Sequence, residues 1–108
     1  MTVKELAEKY SFEVLCMPEP DREIIGGYIG DLLSWVMGRA EASNAWFTIM
    51  TNVNIAAVAQ LSDVSVVVIC EGAMPDDSVI STADAKGINI LLSRENAYLT
   101  AVRVSDDI

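Results

Sequence analysis

Residues 64–70, with the sequence VSVVVIC, form an almost unbroken run of β-branched residues. Such a run favours a β-strand, and because it lacks regular polar alternation we expect the strand to be central and buried on both faces. Sheets that contain strands of this kind are covered by helices on both sides. This one segment therefore restricts the chain to a layered α/β architecture.

The rest of the chain alternates between strand and helix patterns. Strands are predicted over residues 12–16, 24–29, 45–50, 64–70 and 88–92, and helices over 3–10, 32–40, 53–61, 77–86 and 95–105. Regular alternation of this kind predicts a mostly parallel central sheet with right-handed connections. We therefore expect one three-layer α/β domain over residues 1–108, with about five strands and helices on both faces.

Short polar residues mark where the predicted helices begin. Thr2 and Glu5 have the spacing of a capping box, in which the hydroxyl and the carboxylate each bind a free backbone N–H. Asp31, Asn52 and Ser93 each stand just before an apolar helical pattern, and we predict that they are N-caps.

The charge balance excludes several classes of function. The chain has 7 Lys+Arg against 16 Asp+Glu, a net charge of −9 and no histidine. Nucleic acids and anionic membranes both require basic patches, so neither is an expected partner. The absence of histidine removes the commonest general base and the commonest metal ligand, and we expect no metal and no permanent cofactor.

Two further features bear on the cellular compartment. Cys16 and Cys70 lie 54 positions apart in apolar runs, which is no metal-ligand spacing and predicts two reduced thiols in the core. The charged start of the chain does not resemble a signal peptide. The uncharged segment 42–62 carries too many Thr, Asn and Gln side chains for a membrane span. We expect a cytoplasmic protein.

The sequence contains no recognisable catalytic machinery. No phosphate-binding loop of the form G-x-x-x-x-G-K-[ST] is present, and no Ser or Cys has a histidine to act as its base. Gly26, Gly27 and Gly30 suit either a tight strand-to-helix turn or a weak phosphate site. We predict that the chain is not an enzyme.

Ligands of parallel α/β sheets bind at the carboxyl ends of the strands. These ends carry mainly polar side chains and a single cation, which suits a neutral or weakly anionic group better than a triphosphate. Neutralising a polyphosphate would require arginines such as Arg22, Arg39 or Arg94 from two subunits. The candidate ligand-binding residues are Arg22, Gly26, Gly27, Asp31, Thr51, Asn52, Asn54, Glu71, Gly72, Ser93 and Arg94.

A candidate interface lies on two helices. On a helical wheel of residues 32–40, Trp35 falls opposite the apolar side formed by Leu32, Leu33, Val36, Met37 and Ala40. An exposed tryptophan is typical of protein interfaces, although a base-stacking role or cover by a neighbouring element would also accommodate it. Residues 53–61 are apolar almost all round. We therefore assign Val53, Ala57 and Val58 to the same interface. A symmetric homodimer is the expected assembly.

Residues 21–27, DREIIGG, followed by residues 28–34, YIGDLLS, resemble the motif of the DRTGG domain family. The resemblance continues through residues 35–38, 51–59, 71–72 and 75–76, and so covers nearly the whole chain. It implies a compact α/β domain similar to the N-terminal domain of HPr kinase/phosphorylase. Related domains lie between the CBS modules of some family II pyrophosphatases, where they help to bind adenine nucleotides at a dimer interface, and others occur in phosphotransacetylases.

In such proteins the domain is regulatory or forms assemblies, and catalysis resides elsewhere in the polypeptide. The resemblance therefore implies a non-catalytic, homodimeric regulatory module that senses a ligand, with an adenine nucleotide as its effector. The first alternative is a protein-interaction or scaffold module without a small-molecule ligand. A kinase-associated enzyme is a remote alternative, since the serine-kinase label of some relatives would require a phosphate cradle.

Overall fold

The computed structural model describes residues 1–108 and contains five helices and five strands. In chain order these are α1 (Val3–Tyr10), β1 (Glu13–Cys16), β2 (Gly27–Ile29), α2 (Leu33–Arg39), β3 (Ala45–Thr48), α3 (Asn54–Ser62), β4 (Val66–Ile69), α4 (Asp77–Ala85), β5 (Ile90–Leu92) and α5 (Ala97–Val104). They form a single sheet with strand order β1-β5-β4-β3-β2. The pairs β2–β3, β3–β4 and β4–β5 are parallel, and β1 pairs antiparallel with β5. The predicted α/β class and mostly parallel sheet are confirmed.

The core consists of one apolar cluster on each face of the sheet. Residues of α2, α3 and α4 pack around Trp46 on one face, while residues of α1 and α5 pack around Phe47 on the other. These neighbours in β3 point to opposite faces because side chains alternate along a strand. β4 lies in the middle, and its four residues are 0 % exposed, which confirms the prediction from the β-branched run.

A segment without helix connects β1 to β2, which lie at opposite sides of the sheet. We call residues 17–26 the strap, and we call the edge at which the parallel strands begin the amino edge. Because β1 runs antiparallel, it ends at the amino edge. The strap then runs along this edge, past the starts of β5, β4 and β3, to reach β2. The side chain of Asn89, just before β5, accepts from the Glu19 N–H (2.9 Å) and donates to the Glu19 carbonyl (2.8 Å).

Two more polar residues hold the strap from the starts of the next strands. The Ser65 hydroxyl, just before β4, donates to the Glu23 carbonyl, and the Asn44 amide, just before β3, donates to the Ile25 carbonyl (2.8 Å). Ser65 is 1 % exposed, Asn89 1 % and Asn44 8 %. A buried polar group that loses its hydrogen bonds costs about 1–3 kcal/mol, so these side chains fix the path of the strap.

The predicted helix starts are partly confirmed. Thr2 and Glu5 form the predicted capping box. The prediction for Asn52 is wrong by one position: the N-cap of α3 is Val53, without a side-chain cap, and the Asn52 side chain accepts from the N–H of Asn54 (2.9 Å) in the preceding turn. The prediction for Asp31 is wrong, because its carboxylate binds β3 and α2 starts after Leu32 with no side-chain cap.

The predicted N-cap at Ser93 is also wrong. Its hydroxyl is buried against the hydroxyl of Thr100 at 2.8 Å. The cap of α5 is Asn96, whose side chain accepts from the Leu99 N–H (2.9 Å). This helix is consequently shorter than the predicted span 95–105.

The prediction for the buried side of α2 needs correction. Val36 is fully buried, and Leu33 and Ala40 pack partly against the core. Leu32 and Met37, which the wheel placed in the core, are 60 % and 49 % exposed. A seven-residue helix beside the edge strand β2 has too little sheet beneath it to cover five apolar side chains.

Cys16 and Cys70 are buried and unpaired, as predicted. Burial raises the pKa of both thiols, because the charged thiolate is disfavoured away from water. None of the helices is long and apolar enough to cross a membrane.

Candidate ligand site at the carboxyl edge of the sheet

Most of the predicted ligand-binding residues share one edge of the sheet. We call it the carboxyl edge; β2 to β5 end there and the antiparallel β1 begins there. Going from β2 to β5, it carries Asp31, Thr51, Asn52, Asn54, Glu71, Gly72, Ser93 and Arg94. β2 and β5 are three strand spacings apart, about 14 Å. A ligand that contacts both Asp31 and Arg94 must therefore span a distance of this order.

Three predicted ligand residues lie elsewhere. Arg22, Gly26 and Gly27 belong to the strap and to the start of β2, at the amino edge. The Arg22 guanidinium is bound to Asp63, with its carboxylate at 3.1 Å and its carbonyl at 3.0 Å. Arg94 follows the end of β5 and therefore lies at the carboxyl edge. Within a single chain, these three residues lie at the opposite edge of the sheet and do not share a site with Arg94.

Next to β2 and β3, polar groups of the carboxyl edge are hydrogen-bonded to one another. One carboxylate oxygen of Asp31 accepts from the Thr48 hydroxyl (2.8 Å) and the Ile49 N–H (2.9 Å). Asn52 and Asn54 are exposed and Thr51 is half-buried. The Asp31 and Asn52 side chains bind backbone N–H groups of the turns after β3, and no cavity opens among these residues.

The part next to β4 and β5 has an unusual backbone. Glu71 and Gly72 both adopt the left-handed conformation, with φ of 61° and 66°. Their N–H groups donate to the carbonyls of Glu95 and Ser93, both at 2.8 Å. The Arg94 side chain lies over Gly72, where an added Cβ would come within 3.5 Å of the guanidinium. The turn after β4 thus supports the backbone and side chain that follow β5.

A cleft of about 330 Å³ opens beside this turn, between the start of β1 and the end of β5. It combines aromatic and apolar side chains with hydroxyls, two arginines and two glutamates. Its lining residues are Tyr10, Ser11, Phe12, Glu13, Leu92, Ser93, Arg94, Glu95 and Arg103. We call this cavity the arginine cleft.

Both arginines of the cleft are paired with carboxylates. Arg94 binds Glu13 at 3.0 Å, and Arg103 of α5 binds Glu95. The side chains of the first pair are 73 % and 50 % exposed, and those of the second 42 % and 39 %. Exposed pairs of this kind contribute about 0–1 kcal/mol. Competing anions can therefore exchange with the glutamates.

Tyr10 forms one wall of the cleft and is held in place from outside it. Its hydroxyl and the Lys9 ammonium both donate to the carboxylate of Asp107. The hydrogen bond from Lys9, and then that from Tyr10, hold the pKa of Asp107 below its usual range. The bond to Asp107 also raises the pKa of Tyr10, because it favours the protonated phenol.

Sequence reasoning found Ser93 and Arg94 in this cleft but missed the other seven lining residues, which include the charged side chains of Glu13, Glu95 and Arg103. Glu13 faces Arg94 because β1 pairs antiparallel with β5, and no sequence pattern indicates that pairing. Arg103 lies on the same helical turn as core residues of α5, and its spacing from Glu95 is not that of a neighbouring helix pair. The structure contains no group of three or more Cys, Asp or Glu side chains that could hold a metal ion.

The predicted interface residues are not all at the surface. Trp35 is 52 % exposed and Val53 is 51 % exposed, and Ala57 is exposed as well. Val58 is 5 % exposed and belongs to the core, so its assignment to an interface is wrong. The Arg39 guanidinium stacks on the Trp35 ring at 3.7 Å from its centroid. One face of the indole is thereby covered.

A second, smaller cavity of about 240 Å³ lies beside β2, on the face covered by α5. Gly27, Ile29 and Phe47 form one side of it, and Ala101 and Ile108 form the other. It contains no charged side chain. It is separate from the carboxyl-edge residues, and two of the predicted ligand-binding residues, Gly26 and Gly27, line it.

Comparison with known proteins gives a fold but no family. No protein-family model and no curated protein matches the sequence. The chain is similar to a solved structure of the CBS and DRTGG domains of the regulatory region of Clostridium perfringens pyrophosphatase, complexed with the activator diadenosine tetraphosphate. The TM-score is 0.69 at 12 % sequence identity, over 94 % of this chain. This chain spans 44 % of that chain. The likeness supports a DRTGG-like fold, as the resemblance of residues 21–34 implied.

Proposed function

We propose that this chain is a non-catalytic regulatory module that binds an adenine nucleotide as its effector and acts as a homodimer. The observation that carries the proposal is the arginine cleft at the carboxyl edge. It is large enough for part of a small molecule, since ligand sites usually measure about 300–1,000 Å³. It also lies where ligands of parallel α/β sheets bind.

The structural neighbour supports the regulatory part of the proposal. That protein's domains belong to a regulatory region and its structure holds an adenine dinucleotide activator. A DRTGG-like fold in the present chain is compatible with the same kind of role. The nucleotide would contact Arg94 and Arg103, whereas the predicted contacts Asp31, Asn52 and Asn54 lie outside the cleft.

The proposed dimer surface consists of Trp35, Val53 and Ala57, on the exposed sides of α2 and α3. Large exposed aromatic and apolar side chains are enriched at interface centres. Arg39 keeps the Trp35 ring in a fixed orientation by stacking on it. A fixed ring loses less conformational entropy when a partner binds.

A thermal-unfolding series with AMP, ADP, ATP, diadenosine tetraphosphate and the guanine equivalents tests the nucleotide proposal. A ligand at 100 times its Kd adds about 2.7 kcal/mol to stability, which corresponds to roughly 10 °C for a domain of this size. A rise in Tm with adenine but not guanine nucleotides is expected. The same Tm with every nucleotide would contradict the proposal. Sedimentation of the same samples tests the dimer, and a monomer at tens of micromolar would contradict that part.

The half-exposed Trp35 also favours a second candidate, a protein-interaction module without a small-molecule ligand. Trp35→Ser is expected to weaken self-association or partner binding at least tenfold without lowering Tm appreciably, because the ring is 52 % exposed. Tyr98→Ser is the matched control, since Tyr98 is 72 % exposed on the opposite face of the sheet. Equal association of both variants and the original chain would contradict an interface at Trp35.

A further inference from the structure

The arginine cleft brings together half of the arginines of an acidic protein. The chain has 7 Lys+Arg against 16 Asp+Glu, and two of the four arginines face this one cavity from different elements. Arg94 follows β5, and Arg103 lies in the last turn of α5. Arg94 is paired with Glu13, and Arg103 is paired with Glu95 and also donates to the Tyr10 carbonyl (3.5 Å).

The two glutamates occupy the positions that an anionic ligand would take. Arginine presents paired N–H donors that match carboxylate and phosphate oxygens in the same geometry. The side chains of Glu13 and Glu95 are 50 % and 39 % exposed, so both can turn toward solvent when an anion replaces them. The ion pairs therefore keep the guanidiniums oriented without blocking the cleft.

The rest of the cleft suits the uncharged part of such a ligand. Tyr10 and Phe12 supply aromatic walls, with their ring centroids 6.1 Å apart. The bonds of Asp107 to Lys9 and Tyr10 fix the phenol ring from behind. A flat organic group can pack beside these walls while its anionic end lies between the arginines.

Charge indicates which anion fits. A phosphate monoester carries about −1.5 to −2 at neutral pH, which two guanidiniums can neutralise. A triphosphate carries roughly twice that charge, and the surplus would face Glu13, Glu95 and the net −9 of the chain. We propose that the arginine cleft binds a single phosphate group between Arg94 and Arg103, on a small aromatic molecule such as a nucleoside monophosphate. This inference rests on the proposed nucleotide-binding function and narrows it.

Titration calorimetry of the 108-residue chain with AMP, ATP, adenosine and inorganic phosphate tests this assignment. AMP is expected to bind more tightly than ATP and adenosine. Arg94→Gln and Arg103→Gln are each expected to weaken AMP binding about tenfold or more, because each removes charged hydrogen bonds. Lys86→Gln is the control, since it removes one positive charge from an exposed position at the end of α4.

A gain-of-binding variant strengthens the test. Glu13→Gln combined with Glu95→Gln removes the competing carboxylates, and is expected to raise AMP affinity several-fold. An unchanged or weaker affinity would contradict the exchange of glutamate for phosphate. Chemical-shift changes on AMP addition are expected at Phe12 and Ser93, and not at strap residues.

The possible results distinguish an error in the assignment of the arginine cleft from an error in the proposed nucleotide-binding function. AMP binding that is equal in the arginine variants and the original chain would overturn the cleft and leave the nucleotide proposal standing. Phosphate binding that depends on both arginines, without any effect of a nucleotide, would support the anion site and overturn the nucleotide proposal. Binding of neither AMP nor phosphate would overturn both.

Discussion

The amino and carboxyl edges of the sheet use similar polar residues in different ways. At the amino edge, Asn44, Ser65 and Asn89 are buried, and each binds the backbone of the strap. At the carboxyl edge, in contrast, Asn52 is exposed, as is Arg94. Burial, rather than residue type, therefore separates polar groups that maintain the fold from those that are free to bind something else.

The largest expected effect is at the amino edge. Asn89→Ala removes two hydrogen bonds to Glu19 and one to the Ser65 carbonyl, and should lower the free energy of unfolding by about 3 kcal/mol because buried groups lose their partners. Urea denaturation measures this loss. Asn52→Ala is the carboxyl-edge counterpart, with one exposed bond, and should cost less than about 1 kcal/mol. Similar losses at both sites would remove the distinction between the edges.

An intermediate effect is expected from the arginines. The Arg22 side chain is 28 % exposed and binds both the carboxylate and the carbonyl of Asp63, so Arg22→Gln should destabilise the fold by about 1 kcal/mol. Arg94→Gln should change stability by less than about 0.5 kcal/mol, because its ion pair is exposed. Urea denaturation of the two variants measures both changes.

For ligand affinity, the order of the two arginine variants should be the reverse of their order for stability. Arg94→Gln should weaken nucleotide binding, whereas Arg22→Gln should leave the affinity unchanged once folding is complete. Calorimetry on both proteins below their Tm values provides the comparison. A nucleotide affinity that falls equally in the two variants would indicate that the amino edge also contributes to the site.

The smallest effect expected is a pH dependence at Asp107, which holds the Tyr10 wall of the cleft. Because folding lowers its pKa, its contribution to stability is present above the unfolded pKa of about 4. That contribution is lost as the pH falls through the lower folded value. Asp107→Asn should therefore be less stable than the original chain at pH 7 and approach it near pH 3. Asp106→Asn, at the exposed neighbouring residue, is the control; a constant difference between Asp107→Asn and the original chain from pH 7 to pH 3 would contradict this linkage.

Local sequence patterns predicted the architecture well. The β-branched run at residues 64–70 specified a central strand because full burial on both faces leaves no room for regular polar alternation. Alternating strand and helix patterns then specified the parallel sheet and its two helical layers. These features depend on residues close together in the chain, and such periodicities are visible in a single sequence.

The errors concern residues whose partners are distant in the chain. Asp31 resembles an N-cap, but its carboxylate binds Thr48 of the adjacent strand. Ser93 also resembles an N-cap, but its hydroxyl is buried against the hydroxyl of Thr100. Val58 resembles a surface residue of an all-apolar helix and lies in the core. In each case a tertiary contact outweighs the local preference.

The candidate site was predictable only in part for the same reason. Placing ligands at the carboxyl ends identified Ser93 and Arg94, because that rule follows from strand direction alone. Arg103 and Glu13 enter the cleft through the packing of α5 and the antiparallel pairing of β1. The residues of the DREIIGG segment, in contrast, lie in the strap and at the start of β2. A ligand-binding role for the other carboxyl-edge residues stays a prediction.

The strap also has a consequence for the order of folding. Asn44, Ser65 and Asn89, which bind the strap, precede three different strands. These three side chains are brought together only when β3, β4 and β5 lie side by side. Contacts between residues that are far apart in the chain are slow to form, and we expect the strap to dock after the parallel strands have assembled. The Ile25 N–H, which donates to the Ser43 carbonyl (2.8 Å), would then become protected from hydrogen exchange later than the N–H of Val67. The strap would thus complete the folded state rather than initiate it.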